Sequence, residues 1–196
     1  MKKVIVVGAN GELGLEVCRQ LTNVMDVIPI SRGDITFGAV DDEMKIKEIM
    51  DFHTPDFIVN CTGKFGGNNA DFLEIFNSNV KSTWVFLNHF INVSLNKPVR
   101  YVTIGSSAYR EGRREYMLYS SSKAALMNLM QGAQEYFAKS NLSLSLINLP
   151  GLDSKMRQGA KGTNNSQNLM SVETAVNRIL ELGLMHSEGK NWDVRD

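Results

Sequence analysis

The chain opens on an uninterrupted apolar block, Val4 to Val7, that ends at a glycine. A short β-branched run without alternation is the pattern of a strand covered on both faces. Behind it, Leu13, Val17, Leu21 and Val24 recur at helical spacing over residues 13–24, and Asp26 to Ile30 reads as a second strand. A helix over about 41–52 leads past Pro55 into an apolar strand at Asp56–Cys61, and a long helix is predicted over about 69–93. Pro98–Gly105 is the next strand. A polar loop, a helix over about 117–139 and the strand Leu142–Leu149 follow, stopped by Pro150-Gly151. The segment Leu152–Met170 is polar and rich in Gly, Asn and Ser; Val172–Leu184 then reads as a helix and Lys190–Val194 as a short last strand. No internal repeat interrupts this order.

Strands alternating with helices predict an α/β fold: a doubly wound parallel sheet in three α/β/α layers, because each parallel connection needs a crossover long enough to hold a helix. We expect one domain over residues 1–196, with a substrate loop at about 152–170. In such sheets ligands bind at the carboxyl ends of the strands. The loops at 8–14, 31–34, 61–69, 105–116 and 150–170 are therefore expected on one rim.

Composition narrows the chemistry. With 196 residues and 21 basic against 21 acidic side chains, the chain has no global field arguing for nucleic acid or an anionic membrane. Two cysteines, Cys18 and Cys61, are too few for a disulfide framework and lack zinc spacing. His53, His89 and His186 are scattered, so no metal is expected. No apolar run is long enough to span a membrane and the first residues run straight into a strand, which points to the cytoplasm.

Between the first strand and first helix, Gly8-Ala9-Asn10-Gly11-Glu12-Leu13-Gly14 puts three glycines where the backbone must turn tightly and let a pyrophosphate approach. An ordinary Gly/Asn turn is the plain alternative; the strand before and the helix after favour a dinucleotide. At the end of the second strand, where an acid would bond a ribose 2′-hydroxyl, stands Ser31-Arg32. A guanidinium instead pairs a 2′-phosphate as a fork, so NADP(H) is expected over NAD(H). Asp34 is the nearby candidate for ribose or adenine, and a solvated Arg32 is the competing reading.

Tyr119-Ser120-Ser121-Ser122-Lys123 sets a phenol and an ammonium four residues apart on one helix face. A phenol with a pKa near ~10 carries protons poorly at neutral pH, and an adjacent cation lowers that pKa by favouring phenolate. The pair alone is common by chance. Ser106 and Ser107 end the strand Pro98–Gly105, so their hydroxyls reach the same rim and can bond a substrate carbonyl; a plain turn is the alternative.

Taken together, the glycine turn, Asn60-Cys61-Thr62-Gly63 at a fourth-strand position, Asn79, Ile104-Gly105-Ser106, Tyr119 with Lys123, and Pro150-Gly151 resemble, in that order, the short-chain dehydrogenase/reductase family along nearly the whole chain. The resemblance implies a Rossmann-type nicotinamide-binding domain. It makes Ser106 the substrate-orienting serine, with Ser107 in reserve, Tyr119 the general acid/base, and Lys123 a holder of the nicotinamide ribose. Asn79 becomes the residue that keeps a water in the proton relay, against a polar residue on an exposed helix face. Asn60, Cys61, Thr62, Gly63, Pro150 and Gly151 join the cofactor set, Cys61 being a packing residue rather than a nucleophile. Two departures stand out. The glycine spacing resembles the sugar-nucleotide branch, and the second crossover is abbreviated, with room only for a tight turn between Arg32 and Asp34.

The expected activity is NADP(H)-dependent interconversion of a carbonyl and an alcohol. A non-catalytic NADP(H) sensor or scaffold and an epimerase/dehydratase-like member are the alternatives. The substrate is a small molecule; Lys64, Arg110, Arg113, Arg114, Lys155, Arg157 and Lys161 on the rim raise an anionic one, against a merely solvated basic loop. A homodimer or homotetramer is expected, with Trp84, Phe86, Leu126, Met130 and Phe137 either its surface or the core of the sheet.

Overall fold

The computed structural model describes residues 1–158, 169–185 and 189–194. Its centre is a six-stranded, fully parallel sheet in the order β2-β1-β3-β4-β5-β6. The strands are β1 (Lys3–Val7), β2 (Asp26–Ile30), β3 (Phe57–Asn60), β4 (Val99–Ser106), β5 (Leu142–Leu149) and β6 (Asn191–Asp193). Helices α1 (Glu12–Leu21) and α2 (Asp42–His53) follow β1 and β2. After β3 come α3 (Phe72–Phe76) and α4 (Ser82–Ile91), and after β4 comes α5 (Met117–Tyr136). A short α6 (Lys155–Gln158) and α7 (Val172–Leu180) separate β5 from β6.

The continuous apolar block of β1 feeds both layers. Val4 and Val6 pack with Val17 and Leu21 of α1 and Ala175, Val176 and Ile179 of α7, while Ile5 and Val7 pack with α2, α4 and α5 through Ile46, Met50, Phe86, Leu126 and Met130. Phe86, Leu126, Met130 and Phe137 therefore belong to the intramolecular core, and of the five candidates for an oligomer surface Trp84 alone is exposed. Four of the five are occupied by the sheet because α4 and α5 each have one broad apolar face and spend it on β4 and β5.

Two helices depart from the expected spans. Residues 69–93 are not one helix: Asp71 caps α3 by accepting from the Glu74 amide at 2.7 Å, and a π-helical turn over Asn77–Lys81 separates α3 from α4. Such a bulge breaks the regular ladder and persists where side chains repay it; here Asn79 does so. The last helix ends at Leu180 and passes into a second π turn, Glu181–Met185, in which Gly183 lies so close to Val102 that an added Cβ would sit 2.8 Å from its methyls. The segment Asn60-Cys61-Thr62-Gly63 follows the third strand, not a fourth, because the chain runs from β2 through residues 31–41 directly into α2. Strand order reverses between β1 and β3, which opens a crevice there at the carboxyl ends.

Candidate active site

Two contiguous concavities occupy that crevice, sharing Leu13, Cys61, Thr62, Gly63, Leu152, Ser154 and Met156. The larger, about 910 Å³, runs from the glycine turn over the end of β2 and is lined by Gly8, Asn10, Gly11, Glu12, Ser31 and Arg32. Gly8 has φ +78°, and a Cβ added to Gly14 would fall 2.2 Å from the Gly8 carbonyl oxygen. Only glycine lets α1 start this close beneath the turn. The result is a backbone cradle at a helix N-terminus, which fits the pyrophosphate of a dinucleotide. Glu12 extends it: its carboxylate accepts from the Lys155 amide at 2.8 Å and draws the start of α6 onto the glycine turn.

Arg32 is exposed at the wall of this groove. Asp34 does not line it. The Asp34 carboxylate accepts from the Ser31 amide at 2.7 Å and the Ser31 hydroxyl at 2.9 Å, bonds that hold it below the usual carboxylate range and close the turn after β2. Asn60 is likewise turned away from the groove and fully buried. Its amide donates to the Tyr101 hydroxyl at 2.9 Å, and its carbonyl accepts from the Thr62 amide at 3.0 Å. Asn60 thus braces the loop that carries Thr62 and Gly63. Burial pushes the Cys61 thiol up to about 12 and the Tyr101 phenol to about 12, so neither ionises near neutrality. Cys18 and Cys61 are free thiols.

The smaller concavity, about 160 Å³, collects Ser106, Ser107, Tyr119, Lys123, Pro150 and Gly151 from β4, α5 and the end of β5. Lys123 is 5% exposed; its ammonium donates to the Ile104 carbonyl at 2.9 Å and stands 5.9 Å from the Tyr119 ring centroid. Burial lowers its pKa from 10.5 to about 8. Asn79 is not on an exposed helix face but 1% exposed on the first π turn. Its carbonyl oxygen accepts from the Lys64 amide at 2.8 Å, and its amide donates to the Lys64 carbonyl and the Ser122 hydroxyl, both at 2.9 Å. The loop after β3 and the helix carrying Lys123 are thereby tied to one side chain. The Ser106 hydroxyl accepts from the Ala108 amide at 3.2 Å and starts the 3₁₀ turn Ser107–Arg110.

Several lining residues carry no sequence signal. Phe65 and Tyr116 pack on Tyr119, with centroids 4.8 Å and 6.0 Å from its ring, and form an aromatic wall. Irregular loops have no periodicity that would have exposed them. Ser122 stood in plain view beside Lys123, yet only folding gives it Asn79 as partner. Three of the rim cations are paired: Arg110 with Asp193 at 2.8 Å, Arg113 with Glu111 and Lys64 with Glu74. His89 is held below its usual pKa by burial. Of the predicted substrate loop 152–170, residues 159–168, including Lys161, lie outside the described residues, as does His186. Leu152 and Met170 at its two ends form a parallel bridge. Among the described residues, no group of side chains could hold a metal ion, and no helix is long and apolar enough to cross a membrane.

Comparison with known proteins bears on the fold and the lineage. The sequence profile of the family described as short chain dehydrogenase matches residues 2–165. A curated relative, the bifunctional ribulose 5-phosphate reductase/CDP-ribitol pyrophosphorylase of Haemophilus influenzae, is 35% identical over 89 residues, 45% of this chain; the match spans 19% of that protein's length. A short chain dehydrogenase from Burkholderia cenocepacia in complex with NADP superposes with a TM-score of 0.80 at 14% identity, over 100% of this chain and 90% of that one. A 4-hydroxyisoleucine dehydrogenase complexed with NADH superposes with a TM-score of 0.80 at 16% identity, over 99% and 96%. At such identities the superpositions speak for the fold, and the profile for the lineage. The chain belongs to the short-chain dehydrogenase family of nicotinamide-dependent oxidoreductases.

Proposed function

We propose that the protein interconverts a small carbonyl compound and its alcohol with NADP(H), using Tyr119 as general acid/base. The observation that carries this reading is the convergence of Ser106, Tyr119 and Lys123 on one concavity that opens into the glycine-turn groove. In the reducing direction Tyr119 gives its proton to the substrate oxygen while Ser106 donates a hydrogen bond to it. Lys123 adds positive potential that favours both the phenolate and the developing alkoxide. Asn79, bonded to Lys64 and Ser122, steadies the wall beside Lys123 and is the proposed holder of a relay water. When bound, the nicotinamide supplies or accepts the hydride.

Gly8, Asn10, Gly11, Glu12 and Leu13 would hold the pyrophosphate, with Thr62, Gly63, Pro150 and Gly151 along the nicotinamide side. NADP(H) is favoured because Arg32 is the cation at the end of β2, whereas the Asp34 carboxylate is already engaged by Ser31. The cytoplasm is its proposed compartment and a homo-oligomer its proposed state.

The test joins fluorescence titration of NADPH and NADH to a carbonyl panel assayed on wild type and Tyr119→Phe. The panel includes a phosphorylated ketopentose, because the Haemophilus relative's name specifies ribulose 5-phosphate reduction. Turnover should fall by about 10²–10⁴ in Tyr119→Phe with dinucleotide affinity kept. Unchanged turnover in that variant would remove Tyr119 from the chemistry.

A further inference from the structure

Asp42 opens α2 and has no place in the readings above. Its residue is 1% exposed, an unusual position for a carboxylate, which is costly to bury unless its charge and lone pairs are met. Both are met by donors from two separate segments. Oδ2 accepts from the Gly38 amide at 2.7 Å and from the Lys81 ammonium at 2.8 Å. Gly38 belongs to the segment between β2 and α2, and Lys81 is the last residue of the first π turn.

These partners belong to two different segments that meet beside the site. Gly38 and its neighbours Thr36, Phe37 and Ala39 line the dinucleotide groove, and so does Asn77 at the start of the π turn. The approach is close: Gly38 has φ +97°, and a Cβ there would fall 2.1 Å from the Asn77 side-chain nitrogen. Two residues further along the same π turn, Asn79 grips Lys64 and Ser122 beside Lys123. A single buried carboxylate therefore joins the wall of the dinucleotide groove to the turn that braces the reacting lysine.

We propose that Asp42 is a positioning residue, which through Gly38 and Lys81 holds the groove wall and the π turn in register, so that dinucleotide affinity and the Asn79–Lys64 contact depend on it together. The affinity part rests on the nicotinamide reading; the contact part does not. It touches neither substrate nor cofactor and acts only through these two partners.

The test compares wild type, Asp42→Asn and Lys81→Met by NADPH fluorescence titration and by amide hydrogen exchange, read at Lys64, Gly38 and the β4 strand. Asp42→Asn keeps the shape of the side chain and removes the charge on which Lys81 depends. It should raise the NADPH Kd by about tenfold and speed exchange at Lys64 by a larger factor than at β4. Lys81→Met leaves the Gly38 bond in place and should give the same pattern, weaker, about threefold in Kd. A Kd within twofold of wild type in both variants, with Lys64 exchange changing only in step with β4, would reduce Asp42 to a generic structural contact and overturn the proposal. Should Asp42→Asn fail to fold, Lys81→Met decides by the same two readouts. Should wild type bind no dinucleotide, the proposed function fails, and the Lys64 exchange still decides the coupling.

Discussion

At the proposed reacting end, Lys123 and Asn79 are 5% and 1% exposed, and Asn79 is bonded to backbone on one side and a serine on the other. At the proposed dinucleotide end, Arg32 and Asp34 stand in the open, and the groove takes its shape from glycines and from a turn closed by Asp34. The first region is positioned by buried side chains, each expensive to leave unpaired. The second is positioned by backbone geometry, which tolerates side-chain change but not added volume. Substitutions should therefore sort differently in the two regions.

The largest effect is expected at Lys123. Lys123→Met should lower turnover by about 10²–10⁴, yet not destabilise the apoprotein at pH 7. With a folded pKa of about 8 against an ordinary 10.5, the charged form is disfavoured by burial. The unfolded chain then holds more protons on this group between pH 8 and 10.5, so its contribution to stability rises with pH across that window. The penalty, on the order of 3 kcal/mol from the 2.5-unit difference, is fully present below pH 8. Thermal melts of the two proteins should favour the variant at pH 7 and converge towards pH 10. In wild type, kcat should fall as pH rises through about 8, provided the bound cofactor leaves Lys123 in this environment; a flat profile to pH 10 would show that it does not.

Next comes Gly14→Ala, where one methyl meets the Gly8 carbonyl. A loss of about 1–3 kcal/mol in unfolding free energy, measured by denaturant titration, should accompany weaker binding of NADPH and NADH alike. Arg32→Ala is smaller and selective: NADPH affinity should fall by about tenfold, the worth of one charge-assisted contact, while NADH affinity stays within about twofold. Smallest is Asp34→Ala, which opens the Ser31 turn. Its bonds are solvent-exposed, so a stability change under about 1 kcal/mol is expected. Because the Asp34 pKa is lowered in the fold, that contribution is present above the ordinary carboxylate pKa and disappears as pH falls through the lowered value. A Ser31 turn that proved as costly as Gly14 would break the contrast between the two ends.

Much of the architecture was legible beforehand. β2 and β5 occupy the predicted residues, and α2 and α5 depart from theirs by one to three residues, because long apolar periods bounded by Pro and Gly leave few alternatives. The glycine turn was legible for the same reason: close backbone approach demands glycine whatever surrounds it. The roles of Asn60 and Asp34 were not. Both residue types suit a ligand as well as a turn, and choosing between them requires knowing which donors lie within 3 Å.

The order of apolar blocks determined the parallel sheet, the rim on which the loops gather and the helix face that Tyr119 and Lys123 share, since these follow from local periodicity and spacing. Tertiary structure alone decided that the helix after β3 breaks into a π turn at Asn77–Lys81, that Asn79 finds Lys64 and Ser122, and that Asp42 is buried between Gly38 and Lys81. The Asn79 bonds to Lys64 and Ser122 and the Asp42–Lys81 pair join residues 15 to 43 positions apart with no recurring pattern between them. A buried polar group is paid for only by partners the completed fold brings to it.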